Sequence, residues 1–242
     1  MPRPNRPVLL ALAAVLAACA PPARLPVDAG TGPQPTLPQP SKSFIPTVNV
    51  APAVGWPDGE TPKAIEGTAV VAFATGLEHP RWLHVLPNGD VLVAETNAPP
   101  RPEDGKGIKG FFMCIFMRRA GAGVPSANRI TLLRDADGDG VAETRAVLLR
   151  GLNSPFGMAL VGNQLYIANA DALVRVPYTA GQTQITATPT KFADLPGGPL
   201  NHHWTKSLIA SADGSKLYVG VGSNCNVAEN GMDNEVGRAA IW

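Results

Sequence analysis

The feature that most constrains the fold is a hairpin grammar that recurs along the chain. Gly76–Glu95, Gly151–Asn169 and Pro199–Gly222 each carry a small or proline-containing lead-in, a short apolar run, a glycine-containing turn and a second apolar run. Asn88-Gly89, Gly162-Asn163 and Asp213-Gly214 supply the turns, where positive φ is needed to fold one strand back on the next. A hairpin unit repeated at intervals of tens of residues marks a β-propeller or a solenoid, and a plain β-sandwich satisfies the same pattern. Arg129–Arg134 and Ala172–Tyr178 read as outer strands of successive units. No long amphipathic helix is expected. Gly110–Met117 is readable as a buried strand or as one and a half helical turns, and core packing is the expectation for it.

The N-terminus is of another kind. Arg3 and Arg6 precede an apolar run, Val8 to Ala18, too short to span a bilayer but suited to the core of an export signal. The run ends Leu16-Ala17-Ala18-Cys19, which looks like a bacterial lipobox with Cys19 as the lipidated first residue of the mature protein; ordinary signal cleavage beside an incidental cysteine is the alternative. The expected location is periplasmic, anchored to the outer membrane, with the membrane contacted through the lipid anchor only. From Ala20 to about residue 65 prolines recur among Thr, Gln, Ser and Ala without a period of 2 or 3.6, which fits a disordered spacer. The globular part is expected over residues 66–242. Its remaining cysteines, Cys114 and Cys225, form no disulfide framework. A net charge of +1 and the lack of a basic stripe speak against nucleic-acid partners.

Two constellations carry chemistry. Two of the four histidines stand together in Asn201-His202-His203-Trp204, before a strand, with Lys206 three residues on from His203 and the polar loop Gly222-Ser223-Asn224-Cys225-Asn226 at one end of the same hairpin. Imidazole is the side chain that takes and returns a proton near neutrality, so a general base is the natural role. The second is Asp135-Ala136-Asp137-Gly138-Asp139-Gly140, whose alternating carboxylates suit a hard cation such as calcium. The twelfth position of such a loop is Ala146, not glutamate, and Asp-Gly turns also arise from αL tolerance alone, so bound calcium and a bare turn both stand.

Asn201–Trp204, the lead-in Gly151–Leu160 and the run Ser126–Gly140 together resemble the glucose/sorbosone dehydrogenase family, in particular its sorbosone dehydrogenase branch. The resemblance covers roughly residues 66–242. It implies an all-β protein, a six-bladed β-propeller when complete, that uses pyrroloquinoline quinone with calcium to oxidise a sugar aldehyde or aldose and passes the electrons to a respiratory acceptor. Carried over by position, His203 is the catalytic base, while His202, Lys206 and Asn224 bind the cofactor. Departures exist: Ser207 stands where soluble glucose dehydrogenases have arginine, and Ile108–Met113 lacks the glutamine of a cofactor contact. The chain ends at Trp242, at what reads as the opening of a strand, so a fragment of about three blades, inactive by itself, is expected. A non-catalytic envelope propeller is one alternative; a calcium-dependent lactonase, with Glu95 as the inward carboxylate, is another.

Overall fold

The computed structural model describes residues 25–37, 50–57, 59–102 and 106–242. Cys19, the export signal and much of the spacer lie outside those residues. The chain divides into two units, Met1–Ala51 and Pro52–Trp242. In the first, one 3-10 turn spans Val27–Gly30, closed by the Thr31 amide and hydroxyl donating to Asp28 O at 3.1 and 2.7 Å.

The second unit is nearly all β. Strands β1 (Pro80–Val85), β2 (Val91–Glu95), β3 (Arg129–Arg134) and β4 (Thr144–Leu149) form one sheet in chain order. The next sheet holds β5 (Met158–Val161), β6 (Gln164–Ala168), β7 (Ala172–Pro177) and β8 (Thr190–Asp194), and the third holds β9 (Leu208–Ala210), β10 (Leu217–Val221) and β11 (Ala240–Ile241). Every pairing is antiparallel between sequence neighbours. Gly89, Gly162 and Gly214 sit at φ +88°, +58° and +69° in the three hairpin turns, the left-handed geometry that the sequence pattern demanded.

Alternation along the strands explains how the sheets stack. In the middle sheet Met158, Ile167 and Val174 pack with Leu92, Ile130 and Leu132 of the first sheet. Their chain neighbours Ala159, Ala168 and Leu173 point the other way and pack with Leu208, Val219 and Val221 of the third. A strand whose residues alternate sides buries both faces only if another sheet lies on each. Face-to-face meanders joined from the last strand of one to the first of the next are blades of a β-propeller, not the two halves of a sandwich.

Residues 107–119 form α1 (Gly107–Arg119), inside the β2–β3 connection, the helical one of the two readings open for Gly110–Met117. The expected core packing does not follow: Phe111, Phe112, Met113 and Ile115 are all exposed. Thirteen residues without proline or β-branching beyond two isoleucines suit a helix, and a long connection gives it room outside the sheet.

Candidate functional site

Register places the chemistry at one end of the sheets. Pro80 pairs with Glu95 and Glu95 with Arg129, while Met158 pairs with Ile167 and Ala168 with Leu173, so the strand-joining segments 96–128, 150–157, 169–171, 195–207 and 222–239 gather at a common end. Backbone bonds lace them together. Ala170 N donates to Asn153 O and Gly157 N to Lys206 O, both at 2.9 Å, and His202 N donates to Asn224 O at 3.0 Å. Gly157 is required there, because a Cβ would overlap Leu208 N and come within 2.7 Å of Lys206 O.

The histidine turn is pinned from beneath by its aromatic neighbour. Trp204 is buried and meets Phe156 edge-on, with ring centroids 6.0 Å apart, and Phe156 in turn lies 4.9 Å from Trp82 on β1. Arg81 stands over the Trp204 ring at 5.7 Å. One tilted and one edge-to-face ring pair, drawn from three successive chain segments, fix the turn's height over the sheets.

His203 is exposed, and its tautomer follows from its partners. Ser223 Oγ donates to Cys225 O at 2.9 Å, so its only proton is committed there. The 2.9 Å contact between Ser223 Oγ and His203 Nδ1, and the 3.1 Å contact from Nδ1 to Ser223 O, both then require Nδ1 to carry the hydrogen. In the neutral ring Nε2 is then the nitrogen without a hydrogen, the arrangement of a base whose orientation is held through its other nitrogen.

His202 is half-buried beside it, bonded through its amide to the Asn224 carbonyl. Asn224 is buried; its side chain donates to Leu200 O and accepts from Asn230 Nδ2 at 3.1 Å, which makes it a brace of the loop. Glu235 completes that brace, its carboxylate accepting from Asn224 N at 2.7 Å and Cys225 N at 3.2 Å. Lys206 is fully buried, with Nζ donating to Trp204 O at 3.2 Å. Burial, and next the nearby Arg238 charge, push its pKa down from the usual 10.5 to about 8, against the opposing pull of Asp171. Among the described residues Arg238 donates to two neutral oxygens, Asn201 Oδ1 at 2.9 Å and Gly197 O. Two cations thus lie close together under the histidine turn, with no carboxylate within salt-bridge distance of either among the described residues. Sequence reading missed Arg238 and Glu235, whose segment comes to the turn only through the β10–β11 connection; no local motif marks them.

The acidic loop is elsewhere. Arg134 pairs with Thr144, so Asp135, Asp137 and Asp139 occupy the β3–β4 turn at the opposite end of the first sheet. Glu143 joins them, and ligand oxygens of the four lie within 4.8 Å of one another, a set that could hold a metal ion. Asp135 also accepts from Gly138 N at 2.6 Å and Gly140 N at 2.9 Å, bonds that shape the turn by themselves. Glu95 is a buried anchor: it takes Arg129 at 3.1 and 2.8 Å, and its carboxylate also accepts from Thr131 Oγ1 and Glu78 N. That occupancy leaves no open carboxylate for the lactonase alternative. Cys114 and Cys225 are both free.

No protein-family model and no curated protein sequence matches the chain. Solved structures do. An iodide structure of a Trichoderma reesei enzyme of Carbohydrate-Active Enzymes Family AA12 is similar at a TM-score of 0.51 and 17% identity, over 74% of this chain and 39% of that one. The holo form of the pyranose dehydrogenase PQQ domain from Coprinopsis cinerea follows at 0.48 and 17%, over 70% and 34%, respectively. The PQQ-bound form of aldose sugar dehydrogenase from Streptomyces coelicolor matches at 0.40 and 20%, over 66% and 43%. The chain therefore spans about a third to two fifths of the length of the structures it resembles. At these identities the likeness is one of fold, and the argument from fold uses the first of them.

Proposed function

We propose that the full-length protein is a quinoprotein oxidoreductase that oxidises a sugar aldehyde or aldose, sorbosone-like in kind, with His203 as the general base. The observation that carries this reading is the fixed tautomer: Nδ1–H is held by Ser223, and Nε2 stands free on an exposed turn. A base so placed takes the hydroxyl proton of a substrate as its carbon gives up hydride. The shared fold with a carbohydrate-active enzyme supports the substrate class.

The residues present fit an anionic quinone. Among the described residues neither Lys206 nor Arg238, beneath the turn, has a carboxylate within salt-bridge distance, and the cost of holding two such cations together falls when an anionic group comes near. Pyrroloquinoline quinone, when bound, would supply the hydride acceptor. Asn224 and Glu235 keep the turn in register, and His202 flanks the base. Calcium bound at Asp135, Asp137, Asp139 and Glu143 would act on stability and not on the reaction, since that loop lies at the far end of its sheet. We further propose a lipid-anchored periplasmic location and a respiratory electron acceptor, in line with the Cys19 lipobox.

The test is reconstitution of the full-length protein with pyrroloquinoline quinone and calcium, followed by dye reduction with a panel of aldoses and sugar aldehydes. Quinone binding with turnover of at least one sugar is expected. Neither binding nor turnover across the panel would leave a non-catalytic propeller as the better reading.

A further inference from the structure

The β2–β3 connection carries a helix that the reaction does not need. Along α1 the residues Ile108, Phe111, Phe112 and Ile115 follow i, i+3, i+4, i+7 spacing and are 81%, 60%, 52% and 46% exposed. This is the stripe that normally faces a core, and here it faces outward. Met113 and Met117, on other sides of the helix, are exposed as well, so bulky apolar groups meet solvent around its circumference, and Arg118 and Arg119 close it.

We propose that α1 docks on the surface of an anionic lipid bilayer, lying in the headgroup region with its Ile108–Ile115 stripe inserted. Three observations choose this occupant. From Gly105 to Arg134 the sequence has no aspartate or glutamate, while Lys106, Lys109, Arg118 and Arg119 bracket the apolar segment, the charge pattern that anionic headgroups attract. A second copy of the helix would bring like charges together. Next, Ala53 N donates to Arg119 O at 3.0 Å, so the first residues of the globular unit are held at the C-terminus of α1. Finally, thirteen residues make a rod of about 20 Å, shorter than a bilayer core. Among the described residues no helix is long and apolar enough to cross a membrane, so α1 lies on the surface and does not span.

Docking by α1 adds a second membrane contact to the one expected from the acyl chains on Cys19, and it would orient the domain on the surface that those chains hold it to. It stands apart from the oxidoreductase reading. Because α1 lies at the same end of the sheets as the histidine turn, the site-bearing end faces the bilayer rim.

The experiment uses full-length protein secreted through a cleavable leader and carrying Cys19→Ser, so that acyl chains do not mask the helix. Binding to phosphatidylglycerol-containing vesicles and to neutral phosphatidylcholine vesicles is measured by sedimentation, with amide exchange read over residues 107–119. The expected result is binding to anionic vesicles that weakens with salt, slowed exchange of 107–119 only when they are present, and partitioning on the order of tenfold to hundredfold weaker for Phe111→Asp/Phe112→Asp. Equal or absent binding to the two vesicles overturns the proposal. So does exchange of 107–119 already slowed without lipid, in a concentration-independent way if a later segment of the chain covers the helix or a concentration-dependent way if a second copy does.

Discussion

At the scale of single residues, Lys206 is the most informative side chain. Its folded pKa of about 8 against an ordinary 10.5 means that the unfolded chain binds this proton more tightly, by roughly 3 kcal/mol. Between those two values the unfolded state holds more protons, so stability contributed through this group rises with pH there; below pH 8 both states are protonated and the whole cost is present. Lys206→Met removes the cost along with one bond to Trp204 O. The stability difference between wild type and variant, measured by urea unfolding, should then favour the variant below pH 8 and shift towards wild type as pH is raised to 10.5. A difference that stays constant with pH would show that the lysine is not held charged against burial. His203 shows the limit of reading residues singly: the sequence places a histidine pair before a strand, but the choice of Nε2 as the free nitrogen depends on Ser223 and on where its hydroxyl proton goes.

At the scale of elements, the hairpins were legible because turn chemistry and period-2 alternation are local. Gly89, Gly162 and Gly214 mark the three turns, and β1–β2, β5–β6 and β9–β10 fall on the three repeated segments. β8 was not legible: Thr190–Asp194 is exposed along its length, and an outer strand with no buried face leaves no alternation to read. Residues 107–119 misled for the opposite reason, since apolar side chains on all sides promise burial wherever the partner is protein. The site's scaffold was illegible because it is made by contacts between connections. Gly222 is an example, as a Cβ there would lie 2.6 Å from His203 Cβ and 2.9 Å from His203 O. Gly222→Ala should displace the histidine turn and lower kcat of the full-length protein by about tenfold or more, while overpacking at a surface turn costs no more than about 1–3 kcal/mol of stability. Unchanged kcat with normal folding would mean that the position of the turn is immaterial.

At the scale of the whole molecule, stacked blades bring segments far apart in sequence to one end: Asn153, Ala170, Asn201–Lys206, Ser223–Cys225 and Glu235–Arg238 are joined there by backbone and side-chain bonds. The aromatic chain Trp82–Phe156–Trp204 crosses the first two blade junctions, so the turn's position depends on all three sheets. Sequence resemblance pointed to this end of the fold through Asn201–Trp204, and the acidic run pointed away from it, to a turn at the opposite end. The account's central claim is that His203 works as the base. Its most direct test is steady-state turnover of the quinone-reconstituted full-length protein carrying His203→Gln, with His202→Ala and the double variant alongside. The account predicts a fall in kcat of about 10²–10⁴-fold for His203→Gln with quinone affinity largely kept, and a change mainly in binding for His202→Ala. Full turnover in the double variant would contradict it.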